Sequence, residues 1–204
     1  MFRLLTAMPP LRRFVARTLG AMAFVAVLAT GHSDALAASP PAGTAIGNQA
    51  SATYTDASNA ARSVTSNVVT AIVQQVASLT LAQSTAKTVT AGSQVTYPVT
   101  LTNTGNGTDT FNLAFSQSGA YAFTSVVFYA DANGDGIADN TTPITATTAL
   151  AQGDTFRFVA VGTLPPTATA TSTNSLVITA TSTFAGAVNA SVTDVTRLQQ
   201  MRGK

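Results

Sequence analysis

The chain has 204 residues, with ten Lys and Arg against eight Asp, no Glu, no Cys, no Trp and a single His, His32. Without Cys it forms no disulfide and offers no thiolate. Zinc sites of the usual ligands, Cys-His pairs and Ser-His-Asp triads all need residues that are missing once His32 is set aside. We therefore expect a protein that is not an enzyme.

The first segment, residues 1–37, has the features of a secretory signal peptide. Four Arg precede an apolar run of about 12 residues, and Ala35-Leu36-Ala37 provides a small-residue cleavage pattern. The run is shorter than the roughly 20 residues of a membrane span, so we predict an exported protein with no membrane span in its mature form. Residues 38–204 contain six Lys and Arg against seven Asp, a net charge of −1. That balance leaves no basic face for nucleic acid.

Residues 38–76 are predicted to form an N-terminal β-hairpin. The stretch 48–75 has two strand-like halves around a polar centre, and it resembles 174–200 in its opening Asn, alternating Thr and closing Gln-Gln. This similarity suggests a partial repeat, namely the last strand pair of a unit that is otherwise absent. Because an isolated two-stranded hairpin is marginally stable in water, we expect it to pack on, or extend, the rest of the fold.

Residues 77–198 are predicted to form an Ig-like antiparallel β-sandwich, and 199–204 a C-terminal tail. Apolar residues alternate with Thr in several runs, as is typical of half-buried strands; the clearest are 95–101, 111–115, 156–160 and 176–180. Gly-containing turns separate these runs. Pro98 interrupts one of them, which favours an edge strand or a bulge there.

An acidic loop, "DANGDGIADN" at 131–140, is the main candidate for a bound ligand. Its spacing predicts five oxygen ligands for calcium, the fourth through its backbone carbonyl: Asp131, Asn133, Asp135, Ile137 and Asp139. Gly136 stands where such a loop turns sharply, but Thr142 replaces the usual bidentate Glu. The alternative is a solvated turn, because Asp, Asn and Gly are also the common turn residues. A site here would be structural and weak, with a dissociation constant of roughly 0.1 to 1 mM.

Two further sets of residues are candidate sites. Asp109 and Asp154 offer a carboxylate pair, but both stand in turn sequences where Asp is common. Five aromatic residues offer a sugar-binding face, although their alternation with polar residues favours core packing; they are Phe111, Phe115, Phe128, Phe156 and Phe158.

Several phrases of the sequence resemble a known family: "AGTAIGNQASATYTDAS", "SNVVTAIVQQVASLTL", "YPVTLTNTGNGTDTFNL" and "YADANGDGIADNTTPIT". The chain is similar here to bacterial surface proteins built from a conserved repeat, catalogued as the eleventh domain of unknown function. The resemblance implies an Ig-like sandwich exported to the cell surface or beyond, and it implies no activity.

The residues and the resemblance together predict an exported, non-enzymatic structural or adhesive module of the bacterial cell envelope. Its destination is periplasmic, cell-surface or extracellular, and its partners are other envelope or surface proteins, or a second copy of itself. Two alternatives stay open. One is a subunit that self-assembles by strand exchange, as in β-augmentation; the other is a small outer-membrane β-barrel.

Overall fold

The alternating Thr-rich runs of the sequence form β-strands throughout the part of the chain that is described. The computed structural model describes residues 39–83 and 86–199, so the predicted signal segment and most of the predicted tail lie outside it. The described residues contain no helix and twelve strands: β1 Ala45–Asn48, β2 Ser51–Thr55, β3 Ala61–Thr65, β4 Val69–Ile72, β5 Leu79–Gln83, β6 Lys87–Val89, β7 Gln94–Asn103, β8 Phe111–Gly119, β9 Ser125–Ala130, β10 Thr155–Thr163, β11 Thr173–Ser182 and β12 Asn189–Leu198.

Strands β5 to β12 form two four-stranded sheets that enclose a hydrophobic core. One sheet has the order β5-β7-β10-β9 and is antiparallel throughout, and the other has the order β6-β12-β11-β8, in which β6 and β12 are parallel. Fully buried side chains from both sheets meet in the core, including Tyr97, Leu101, Phe158, Leu176 and Ile178. The predicted all-β sandwich with an additional N-terminal hairpin is confirmed.

The period-two pattern correctly identified the inward face of the central strands. On β7 every second residue from Val95 to Asn103 is buried, while the Thr residues between them are half-buried. Such alternation arises because successive strand side chains point to opposite faces of a sheet. Burying one face of Val, Leu and aromatic residues supplies the main stabilisation of the sandwich, at about 25 cal/mol per Å² of apolar surface.

The prediction of an edge strand or a bulge at Pro98 is wrong for β7 as a whole, which is an interior strand, but at Pro98 itself β7 has a ladder partner on one side only. β7 is paired with β10 on one side and with β5 on the other. The β5 ladder, however, ends at the pair Gln83–Val99, one residue before Pro98. Pro98 therefore needs no partner from β5, and its missing N–H costs no ladder hydrogen bond on that side.

The predicted N-terminal hairpin is present as one long antiparallel ribbon interrupted by a bulge. β1 pairs with β4, and β2 pairs with β3. Between the two ladders, residues 49–50 of one strand face residues 66–68 of the other, an arrangement in which the extra residue increases the local twist. At the tip, Asp56 accepts hydrogen bonds from the backbone N–H groups of Ser58 and Ala60 and pairs with Arg62 at 2.8 Å.

The expectation that this hairpin would pack on or extend the sandwich is wrong. All residues of β1 to β4 are exposed, and these strands pair only with one another. The physical reason is that the hairpin is attached to the sandwich at its base, so none of its strands lies along an edge strand of the two four-stranded sheets. The similar segment 174–200 behaves differently, because it contributes β11 and β12 to a sheet with a buried face.

Candidate functional site

The acidic loop begins immediately after β9, and its first carboxylate is buried. Asp131 is 2% exposed. Its Oδ1 accepts a hydrogen bond from the Gly134 N–H at 2.9 Å, and its Oδ2 accepts one from the Gly136 N–H at 3.0 Å. Both glycines have positive φ, 74° and 81°, a conformation that other residues adopt only with strain. Asp131 therefore fixes the loop by binding the backbone that folds over it.

The other polar side chains of the loop also bind loop backbone. Asp139 closes the loop, because its Oδ2 accepts from the Ala132 N–H at 2.6 Å and its own N–H donates to the Ala130 carbonyl at 2.9 Å. Asp135 accepts from the Ile137 N–H at 2.8 Å, and its N–H donates to Asn133 Oδ1 at 3.0 Å. These contacts make the loop a self-capped turn.

The loop oxygens are arranged for hydrogen bonding and not for a metal ion. All five predicted calcium ligands lie in this loop, but the described residues contain no group of three or more acidic, His or Cys side chains placed to hold a metal ion. Ile137, whose carbonyl is the predicted ligand, has a residue exposure of 67%, and Thr142 donates its backbone N–H to Asn140 at 2.9 Å. In this arrangement the carboxylates are used by backbone amides and do not converge on a common point. Calcium binding at the loop stays a prediction.

The attachment of the hairpin to the sandwich is a site that the sequence analysis did not identify. Asn106, in the turn between β7 and β8, is 6% exposed. Its Oδ1 accepts from the Val76 N–H at 2.7 Å, and its Nδ2 donates to the carbonyls of Gln74 at 3.0 Å and Pro40 at 3.3 Å. Its backbone carbonyl also accepts from the Ala42 N–H at 2.7 Å. One side chain thus holds both ends of the hairpin against the same turn.

Asp109 has a structural role separate from that of Asp154. It is 5% exposed and accepts hydrogen bonds from Ser182 Oγ at 2.5 Å and from the Phe184 N–H at 3.1 Å. Burial acts to raise the pKa of Asp109, but these bonds and those from Thr110 and Thr183 outweigh it and lower the pKa. Asp154 instead accepts from the Ala151 N–H at 3.0 Å in its own turn. Each of the two carboxylates has its own turn to stabilise.

Most of the five aromatic residues lie in the core, and two of them line an open groove. Phe128 packs edge-on against Phe158, with ring centres 5.6 Å apart, and against Phe115, at 6.1 Å. Phe115, on the edge strand β8, is 42% exposed. Phe115 and Phe128 line a groove of about 360 Å³ between β8 and β9, together with Leu113, Val126 and Ile144. No charged residue lines it.

Comparison with known proteins gives low similarities. No protein-family model and no curated protein matches the chain. Among solved structures, a family 123 glycoside hydrolase from Clostridium perfringens is 9% identical with a TM-score of 0.40, over 61% of this chain and 28% of that one. The ASH/PapD-like domain of human CEP192 is 12% identical with a TM-score of 0.34, over 62% and 87%.

Domains 4 and 5 of the S-layer protein SbsC are 18% identical with a TM-score of 0.33, over 69% of this chain and 65% of that one. The chain therefore spans less than a third of the hydrolase and about two thirds of the S-layer fragment. The strand order, and not these similarities, defines the fold. In the described part of the chain, no helix is long and apolar enough to cross a membrane.

Proposed function

We propose that the chain is an exported, non-enzymatic structural or adhesive module of the bacterial cell envelope, related to the conserved-repeat surface proteins. The observation that carries the proposal is the hairpin β1–β4, which stands in solvent along its whole length. It exposes large apolar side chains, with Ile46, Tyr54 and Val69 each about half exposed or more. Exposed apolar surface of this kind typically marks an interaction site.

The side-chain chemistry of the chain supports a mechanical role. His, Cys and Glu, which are frequent catalytic residues, are missing from residue 38 onward. The buried acidic side chains of the two turn regions, Asp109 and Asp131, bind backbone and hydroxyl groups of the fold itself. These two carboxylates thus hold the turns of the module.

The proposal is tested by locating the protein and by measuring adhesion. If the protein is exported to the surface or beyond, protease treatment of intact cells should digest it at the surface, or it should be found in the medium. Beads coated with the protein should adhere to cells of the same strain. The double variant I46T/V69T should lower adhesion several-fold, because both changes remove exposed apolar side chains of the hairpin. The matched control F184S changes another exposed apolar residue, on the β11–β12 turn. Equal adhesion of all three proteins would refute the role of the hairpin.

A second candidate function, self-assembly by strand addition, is favoured by two surfaces of the same chain. The hairpin presents apolar side chains and unpaired strand edges, and the groove between β8 and β9 is apolar, uncharged and bordered by two edge strands. Edge strands readily accept an added strand. Sedimentation over a range of concentrations should show polymers that disappear on deletion of residues 42–76. Monomers with and without that segment would exclude this function.

The proposed module also includes a loop stiffened by calcium. The three loop carboxylates Asp131, Asp135 and Asp139 carry like charges at short sequence spacing. A hard divalent cation would neutralise them, and its site would lie beside the β9 end of the groove. Calorimetric titration with calcium distinguishes a calcium-binding loop from a metal-free turn.

A further inference from the structure

The core of the sandwich contains a carboxyl group without a hydrogen-bond partner. Asp194 on β12 is 1% exposed, and neither of its side-chain oxygens has a partner among the described residues. Buried polar atoms are nearly always hydrogen-bonded, and a buried charge is costly unless it is compensated. Burial raises the pKa of Asp194 to about 7, and the positive charge of Lys87 acts against that rise. Asp109, by contrast, accepts hydrogen bonds from four donors.

Lys87 reaches into the same interior region from the neighbouring strand. It is the first residue of β6 and pairs with Thr196 of β12 in parallel register. Asp194 precedes Thr196 by two residues, so both lie on the same inward face of β12. Strand spacing and rise place the Lys87 and Asp194 backbones about 8 Å apart, a gap that a lysine side chain can span.

The Lys87 side chain is half-buried, and its amine is directed toward the core. Nζ donates a hydrogen bond to the Thr96 carbonyl, and it lies 5.7 Å from the centre of the Tyr97 ring, which is fully buried. The described residues contain one salt bridge, between Arg62 and Asp56, so Lys87 and Asp194 are neighbours without being an ion pair. A half-buried amine and a buried carboxyl group thus lie on adjacent strands.

We propose that Lys87 and Asp194 are joined by an intramolecular amide bond. A proton passes from the Lys87 ammonium to the Asp194 carboxylate, because burial of Asp194 disfavours its charged form. The Nζ lone pair then attacks Asp194 Cγ. The Nζ–Cγ bond forms, the bond from Cγ to the hydroxyl oxygen breaks, and that hydroxyl leaves as water with a proton from Nζ. An ammonium and a carboxylate become an amide and water, with no oxidant, reductant or further reactant.

The amide product is neutral, so it removes the free-energy cost of a buried carboxylate without a hydrogen-bond partner. A half-buried amine and a buried carboxyl group are replaced by one neutral amide, whose N–H can keep the hydrogen bond that Nζ now gives to the Thr96 carbonyl. The bond would connect β6 to β12, near the start and at the end of the sandwich. A force applied across these two strands would then be carried by a covalent bond as well as by ladder hydrogen bonds.

Asn174 is the competing acceptor in this region. Its Oδ1 is also buried without a partner, and attack on its side chain would release ammonia instead of water. Asn174 lies on β11, one strand farther from β6 than Asp194, and its Nδ2 donates to the Tyr121 carbonyl at 2.6 Å. The position of Asp194 on the adjacent strand favours it as the partner of Lys87.

Tryptic digestion of the purified full chain, followed by mass spectrometry, tests the proposal independently of N-terminal processing. Trypsin cleaves after Arg62, Arg157 and Arg197, but not after a lysine whose amine is acylated. We expect the segment 63–157 to remain uncut at Lys87 and to be joined to 158–197, with a combined mass lower by one water molecule. K87R and D194A should give separate peptides of full mass.

Three results would overturn the proposal. The first is efficient cleavage after Lys87 in the wild-type protein, with separate peptides of full mass. The second is a joined pair whose mass is lower by ammonia, which would assign the bond to Asn174. The third is a joined pair that persists in D194A. The wild-type digest decides the first two results even if a variant fails to fold.

Discussion

The replacement Asn106→Ala should release the hairpin without unfolding the sandwich. Three side-chain hydrogen bonds would be lost, one from the Val76 N–H and two to the carbonyls of Gln74 and Pro40. A hydrogen bond contributes about 1 kcal/mol net, so the three together contribute about 3 kcal/mol to holding the hairpin base. Because 1.4 kcal/mol corresponds to a factor of ten in an equilibrium constant, the base should open roughly 100-fold more often.

Amide hydrogen exchange measures this opening directly. The N–H of Ala42 donates to the carbonyl of residue 106 at 2.7 Å, and the N–H of residue 106 donates to the Val76 carbonyl at 3.2 Å. Both bonds join the hairpin base to the turn, so the exchange of these amides should accelerate by that factor, while the amides of β10 keep wild-type protection. The control Asn140→Ala removes one hydrogen bond, from the exposed Thr142 N–H, and should change neither region. If Asn106→Ala accelerated the exchange of β10 as much as that of Ala42 and residue 106, the hairpin and sandwich would unfold as one unit and the reasoning would be refuted.

Three other predictions concern the carboxylates. D109N should lower the free energy of unfolding by about 2 kcal/mol at neutral pH, because its hydrogen bonds are weaker. Since the folded-state pKa of Asp109 is lowered, the stabilisation by the carboxylate is present above the ordinary Asp pKa and is lost as the pH falls through the folded value. Denaturation curves of the two proteins should therefore converge in acid. In K87R the carboxyl of Asp194 is free, and its folded-state pKa is raised to about 7. Stability should therefore fall as the pH rises from the ordinary Asp pKa to about 7 and level off above it; the wild-type protein with its amide should lack this fall, and identical pH profiles would contradict the amide bond. Calorimetric titration with calcium should show saturable millimolar binding that raises the melting temperature and is absent in D131A/D135A, whereas no heat at millimolar calcium would leave the loop a metal-free turn.

Strand positions could be predicted from the sequence because burial in a sandwich follows the two-residue period of the backbone. Leu176, Ile178 and Ala180 are all fully buried on β11, as their alternation with polar residues indicated. Phe115 follows the same rule in sequence but lies at the edge of β8, where the groove opens, and is partly exposed. The two-residue period shows which face of a strand is apolar. Whether that face is covered depends on the order of the strands in the sheets, which the local sequence pattern does not determine.

The sites were less predictable for a related reason. Asn106 stands in a Gly-rich turn, so its residue type was explained by the turn alone, and its contacts with a segment about thirty residues earlier had no local signal. Asp194 did leave a signal, because it occupies an inward position between Val192 and Thr196 on β12. A carboxylate at a core position is uncommon enough to be informative, and only the register of β6 against β12 supplied its partner.

The most direct test of the proposed function is to measure how much of the protein lies outside the cell and whether its retention there depends on the hairpin. Intact cells would be treated with protease, and the chain quantified in the protected, released and surface-digested fractions for wild type, I46T/V69T and F184S. We predict that the wild-type and F184S proteins are digested at the surface, and that the double variant is shifted to the medium. Wild-type protein found only in the protease-protected cytoplasmic fraction would contradict an exported structural or adhesive module.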